Sequence, residues 1–311
     1  MDLMNPHQST NDVSPLSHRL LWWLLRRITS LSHANQTTLS RWLARLAPIV
    51  AGRRMRIVRA NLAICFPTLR TFEREALAKK VASSTILGLL ETLTAWVRPE
   101  QLATKQLDIE GLDLLREERP PHQGVLLVGM HFATLDMAGA LLSREIPFDV
   151  MYKPSRKPFI EALMVQGRNH YFDQVIKQSN IREVVRRLRA GHIVWYAPDQ
   201  DYGPENAVFA PFFGTPAATI TATSRLASMT DARIIFMSHF RVGEDHYRIC
   251  LTPAPSTLPS GNELDDATAM NGVIEAEIQK APEEYWWVHR RFKSAPEGGR
   301  RTLYDINSKG A

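Results

Sequence analysis

Apolar positions recur at helical spacing between Arg74 and Val97. Ala78, Val81, Ala82, Ile86, Leu89, Leu90 and Leu93 share one face there, and Pro99 closes the segment. Beyond residue 105 the texture changes to short apolar runs alternating with amphipathic stretches. Residues 124–129 read Gly-Val-Leu-Leu-Val-Gly, the pattern of a strand buried on both faces. Further strands are expected at 148–152, 175–176, 193–196, 234–240 and 247–251. Helices are expected at 133–143, 159–168, 181–190, 217–229, 267–280 and 284–288. Strands separated by helices predict βαβ units, that is, an α/β fold with a mostly parallel sheet flanked by helices. No internal repeat, low-complexity tract or long Pro/Gly linker interrupts this region.

The 311 residues fit one large domain or two small ones, and 44% hydrophobic with 23% charged residues excludes wholesale disorder. Cys65 and Cys250 are too few for a disulfide framework, suit a reducing compartment, and read as two buried thiols without a role.

Charge distribution alters the picture of the N-terminus. Between Asp12 and Glu73 there is no acid, but there are ten arginines: Arg19, Arg26, Arg27, Arg41, Arg45, Arg53, Arg54, Arg56, Arg59 and Arg70. This stretch carries +10 within a net charge of +6, so the remainder carries −4. Trp22, Trp23, Trp42 and the leucines at 20, 21, 24 and 25 lie among these arginines, a combination that suits an anionic membrane surface better than nucleic acid. The apolar run stops at Arg26-Arg27, short of the roughly 20 residues a spanning helix requires. No signal-peptide pattern is present. Residues 16–60 are therefore expected to form amphipathic helices on a membrane face, with basic surface helices of a soluble enzyme as the alternative. This divides the chain into a membrane-associated region, 1–60, and a catalytic domain, 61–311.

Several chemistries lack their signatures. There is no phosphate-binding G-x-x-x-x-G-K-[ST], no G-x-G-x-x-G, no G-x-S-x-G and no Cys-x-x-Cys. The ten histidines include no i, i+4 pair, so no metal site is expected. What remains is His131, just beyond the 125–128 strand, where open α/β sheets place their ligands, and Asp136 five residues on. An H-x-x-x-x-D spacing can fold the carboxylate onto the imidazole, fixing its tautomer while the other ring nitrogen takes a proton. The bare pattern also fits a structural histidine.

The segment Gly124-Val-Leu-Leu-Val-Gly-Met-His131-Phe-Ala-Thr-Leu-Asp136 resembles the core motif of the late acyltransferases of lipid A biosynthesis. The resemblance extends to Asn61-Leu-Ala-Ile-Cys-Phe-Pro67, Val194-Trp-Tyr-Ala-Pro-Asp-Gln-Asp-Tyr-Gly-Pro204 and Tyr285-Trp-Trp-Val-His-Arg-Arg-Phe-Lys293, in the family's order, over about residues 53–298. It is strongest to the lauroyltransferase branch. It implies a glycerophospholipid-acyltransferase-like fold at the cytoplasmic face of the inner membrane. It also implies direct transfer of an acyl chain from acyl carrier protein, the co-substrate, to a Kdo-bearing lipid A precursor, with no further cofactor. His131 and Asp136 would then be the catalytic dyad.

The same resemblance makes Arg168 a ligand for a substrate phosphate or the donor thioester; a solvated or structural arginine is the alternative. Asp199 and Asp201 could bind sugar hydroxyls or pair with Arg168, or Asp199 could cap a turn. Arg290 and Arg291, with Lys293, could meet lipid phosphates or the acidic carrier, or form a solvated basic tail. Two features depart from the family: its usual apolar N-terminal span is broken by Arg26 and Arg27, and many relatives carry glutamate where this chain has Asp136. Two competing readings remain: an acyltransferase acting on glycerol phosphate or a lysophospholipid, and a non-catalytic membrane-surface binding protein.

Overall fold

A computed structural model of the chain describes residues 15–304, with side chains from residue 20 onward. Four helices open it: α1 (Pro15–Thr29), α2 (His33–Val50), α3 (Gly52–Cys65) and α4 (Thr71–Val97). Strands and helices then alternate through β1 (Gln106–Glu110), α5 (Asp113–Arg116), β2 (Val125–Gly129), α6 (Leu135–Leu142), β3 (Asp149–Tyr152), α7 (Pro158–Arg168), β4 (Val175–Lys177), α8 (Ile181–Arg189) and β5 (Ile193–Tyr196). A hairpin, β6 (Ala207–Phe212) and β7 (Thr215–Ile220), precedes α9 (Ala222–Thr230), β8 (Arg233–Gly243), β9 (His246–Pro253) and α10 (Glu263–Lys280).

Seven strands form one sheet in the order β1-β9-β8-β2-β5-β3-β4, parallel throughout except between β8 and β9. The expected α/β architecture is thus present. β2 lies at the centre, all five of its residues buried. Leu126 and Val128 join a core on one face of the sheet and Val125 and Leu127 one on the other, which is why the strand is apolar without alternation.

Two expected helices are not formed as expected. Residues 217–220 belong to β7, and the helix begins only at Ala222. The alanines gave this stretch a helical look. Phe213 and Gly214, both at positive φ (47° and 73°), turn the chain back so that 215–220 pairs with β6. Residues 284–288 are not helical either. A short 3₁₀ turn (Pro282–Glu284) leads into extended chain at Tyr285, which bridges Phe132. The edge strand β1 carried no readable sequence signal.

α4 is the spine of the helical layer: α1, α2, α3, α6 and α7 all touch it. α2 is inside out. Its buried residues are His33, Gln36, Ser40 and Ala47, whereas Trp42, Leu43, Leu46, Ile49 and Val50 are exposed. Polar contacts hold the inner face: Gln36 Nε2 donates to Thr94 Oγ1 (3.2 Å), and His33 Nε2 stands 3.4 Å from Glu91. On α1, Leu20, Trp23 and Leu24 are likewise exposed. Arg27 lies over the Trp23 ring and Arg45 over Trp42, at 5.3 and 4.8 Å. No helix among the described residues is long and apolar enough to cross a membrane.

Beneath this layer lies a buried ionic group. Arg241 of β8 donates to Glu91 of α4 through Nε (2.8 Å) and Nη2 (2.6 Å), and to Glu284 through Nη1 (3.1 Å). Tyr247 also donates to Glu91, at 2.8 Å. Burial works against the Glu91 charge, but Arg241 and these hydrogen bonds outweigh it and hold the pKa at about 2.

Candidate active site

The carboxyl ends of β2 and β5 are neighbours, because the two strands pair in parallel with Val128 opposite Tyr196. His131 leaves the first end two residues past the strand, and Asp199 leaves the second three residues past. The sheet therefore brings together two residues 68 positions apart. Asp199, 1% exposed, accepts from the His131 backbone N–H at Oδ2 (2.8 Å) and from the ring Nδ1 at Oδ1 (2.5 Å). Burial alone would raise the Asp199 pKa, but the charge and hydrogen bonds of His131 outweigh it and hold it at about 2. An ionised carboxylate can only accept, so Nδ1 carries the bridging proton and Nε2 is the basic nitrogen.

The expected contact between His131 and Asp136 is not made. Asp136 is the second residue of α6, and its carboxylate goes to α7, where Arg168 donates from Nε (2.8 Å) and Nη2 (3.1 Å). The Trp96 indole adds a third bond at 3.1 Å. The fork-on-carboxylate geometry fixes the guanidinium and leaves Nη1 without a partner among the described residues. The sequence-adjacent acid was the obvious partner for His131; the sheet supplied a different one.

Backbone contacts fix the His131 loop on both sides. Trp286 N–H donates to His131 O (2.8 Å), and Ala133 N–H donates to Glu284 O (2.7 Å). Gly88 of α4 lies so close that a Cβ there would sit 2.2 Å from Ala133 O. At Gly129 a Cβ would meet the Trp195 indole, also at 2.2 Å, so only glycine fits at the end of β2.

His131, Asp136 and Arg168 line one cavity of about 650 Å³, within the range of small-molecule sites. Its walls are largely apolar, with Leu89, Met164, Trp195 and Leu226 among them. Gln200, which the sequence did not single out, also lines it.

The other expected ligands lie elsewhere. Asp201, 1% exposed, accepts from Ser294 N (2.8 Å), Ser294 Oγ (3.0 Å) and Gly203 N (2.9 Å), so it shapes its own turn and anchors the C-terminal segment. Arg291 is 2% exposed and is not available to lipid phosphates. It donates to Ala218 O (2.7 Å) and Thr219 Oγ1 (2.9 Å), pinning the β6–β7 hairpin, with its guanidinium over the Phe212 ring. The charge is buried because hairpin carbonyl and hydroxyl oxygens replace its water. Arg290, half-buried, lies over the Tyr304 ring at 5.6 Å, outside the cavity. Asp199 serves His131 and is too buried to meet a sugar.

Among known proteins, the family described as bacterial lipid A biosynthesis acyltransferase matches residues 16–294. A lipid A biosynthesis lauroyltransferase of Escherichia coli is 35% identical over 82% of this chain and 84% of its own. A lipid A biosynthesis palmitoleoyltransferase of the same organism is 37% identical over 79% and 81%. A lipid A biosynthesis acyltransferase of Haemophilus influenzae is 33% identical over 82% and 83%. Among solved structures, a 1-acyl-sn-glycerophosphate acyltransferase of Thermotoga maritima aligns over 77% of this chain and 95% of its own. It is 11% identical with a TM-score of 0.34.

Proposed function

Because the chain belongs to the bacterial lipid A biosynthesis acyltransferases, we propose that it moves a lauroyl chain from acyl carrier protein to a hydroxyl of a Kdo-bearing lipid A precursor, at the cytoplasmic face of the inner membrane. The observation that carries this reading is the clamped His131, with Nε2 free, in a largely apolar cavity that also holds Arg168. An acyl chain suits such walls, and a hydroxyl attacking a thioester needs a base within reach.

In this mechanism the acceptor oxygen bonds to the thioester carbon as its proton passes to His131 Nε2. The Asp199 carboxylate then stabilises the imidazolium. The tetrahedral oxyanion collapses, the C–S bond breaks, and the proton moves from the imidazolium to the departing thiolate. No covalent enzyme intermediate is required. Arg168, held by Asp136, offers Nη1 to an anionic group of a substrate. The exposed apolar residues of α1 and α2, set among arginines, favour attachment to an anionic bilayer.

The relatives differ in the acyl chain they are named for, lauroyl in one and palmitoleoyl in another. The experiment is transfer from carrier-bound lauroyl and palmitoleoyl chains, in competition, to a tetraacylated Kdo-bearing precursor or to lysophosphatidic acid. Transfer to the precursor, with lauroyl preferred and lost in His131→Ala, is expected. Transfer to lysophosphatidic acid alone would replace this reading with the glycerolipid one.

A further inference from the structure

A tetrahedral intermediate needs donors aimed at the oxygen that gains charge, and the N–H groups flanking His131 are already committed. The amide of His131 goes to Asp199, that of Phe132 to Met130 O, that of Ala133 to Glu284 O and that of Trp286 to His131 O. Asp201 N–H goes to His289 Nε2 and the Trp96 indole to Asp136. None of these groups is therefore left to point at an oxyanion.

Gln200 differs from all of these. It directly follows Asp199, so the carboxylate that grips His131 also fixes the backbone from which Gln200 projects. It is half-buried and lines the main cavity. It also lines a small adjoining void shared with His131 and Trp286. Its side-chain amide has no hydrogen-bond partner among the described residues. A polar group left unpaired at a partly buried site is costly unless a ligand or water satisfies it.

We propose that the Gln200 amide is the oxyanion donor of the acyl transfer; this rests on the reading of His131 as the base. As the acceptor oxygen bonds to the thioester carbon and its proton reaches Nε2, the C=O π pair moves onto the carbonyl oxygen. Gln200 Nε2–H bonds to that oxygen until the C=O reforms and the C–S bond breaks. A neutral amide suits the place, because it donates without setting a second fixed charge beside His131.

The test compares Gln200→Ala, the isosteric Gln200→Glu and His131→Ala, using acyl carrier protein thioester and the Kdo-bearing acceptor. Gln200→Ala is expected to lower kcat about 10²–10³-fold, the cost of a lost oxyanion donor, with both KM values within about threefold of wild type. Gln200→Glu should be slower still. A Gln200→Asn enzyme, which keeps the amide but shortens its reach, should recover part of the kcat lost in Gln200→Ala, which a side chain that only fills space would not do. A Gln200→Ala enzyme with wild-type kcat, or one that raises KM alone, would overturn the proposal while an inactive His131→Ala left the base intact. Full activity in His131→Ala would instead overturn the reading on which the proposal rests.

Discussion

Asp199 grips His131 at two atoms of the same residue, the main-chain nitrogen and the ring Nδ1, one with each carboxylate oxygen. The ring is thereby fixed in rotation and tautomer relative to its own backbone. Asp199→Asn keeps the shape but presents an amide that cannot stabilise an imidazolium and can donate toward Nδ1. The expected outcome is a fall in kcat of about 10²–10⁴-fold with little change in melting temperature, read by steady-state acyl transfer and calorimetry. Activity within threefold of wild type would remove Asp199 from the mechanism.

Asp136 and Arg168 should behave as one unit. Asp136→Asn frees the guanidinium, and Arg168→Met leaves the carboxylate unpaired, so each alone should slow transfer at least tenfold. The double variant should be little worse than the poorer single one, which a double-mutant cycle on kcat/KM measures. Additive losses would mean that Asp136 acts apart from Arg168. Asp136→Glu, which keeps the charge, should retain measurable activity.

Stability should decline steadily as the solution is acidified. Burial, the largest influence on His239 and His289, lowers both to about 4, so the unfolded chain binds protons that the folded one refuses between about pH 6.5 and 4. Stability is therefore lost as pH falls through that window, at up to about 1.4 kcal/mol per pH unit for each group. Glu91 and Asp199, both held at about 2, extend the loss from roughly pH 4.5 to 2, because their depressed values contribute stability only while they are ionised. Urea midpoints measured from pH 7 to 3 should fall throughout, and His239→Gln should flatten the slope above pH 4.

Trp42→Ser, Leu46→Ser and Ile49→Ser together should release much of the protein from vesicles of anionic lipid while leaving its melting temperature within about 2 °C of wild type. These side chains are 63%, 52% and 83% exposed and pack no core. Co-sedimentation at low and high salt is the measurement. Binding that ignores salt and lipid charge and survives carbonate extraction would mean deeper insertion. Deleting residues 1–50 is a harsher change, since it strips α1 and α2 from α4 and exposes Glu91 and Thr94.

The sheet was legible because its central strands are short, apolar and separated by amphipathic helices, so β2, β3, β5, β8 and β9 fall where the pattern puts them. His131 was legible by its place after β2. Its true partner was not, because strand order decides which loops meet, and nothing in residues 125–136 says that β5 lies beside β2. Glu91 and Arg241 were hidden for a related reason: a charge on an otherwise apolar face reads as solvent-exposed until its counter-charge arrives from 150 residues away. Arg291 misled in the opposite sense. Beside Arg290 and Lys293 it looks like part of a basic surface, and only the β6–β7 hairpin, itself disguised by alanines, turns it inward.

The contact between Gly88 and Ala133 has a mechanical meaning. Two stretches of main chain meet there with no side chain between them to change rotamer or give way. α4 carries α1 and α2 and, at Gly88, presses on the His131 loop. A tilt of that rod, such as the helices above it would impose on sinking into or rising from a lipid surface, cannot be absorbed at the junction. It is passed on to the loop, so α1 and α2 are joined to the His131 loop by a stiff lever rather than a soft linker.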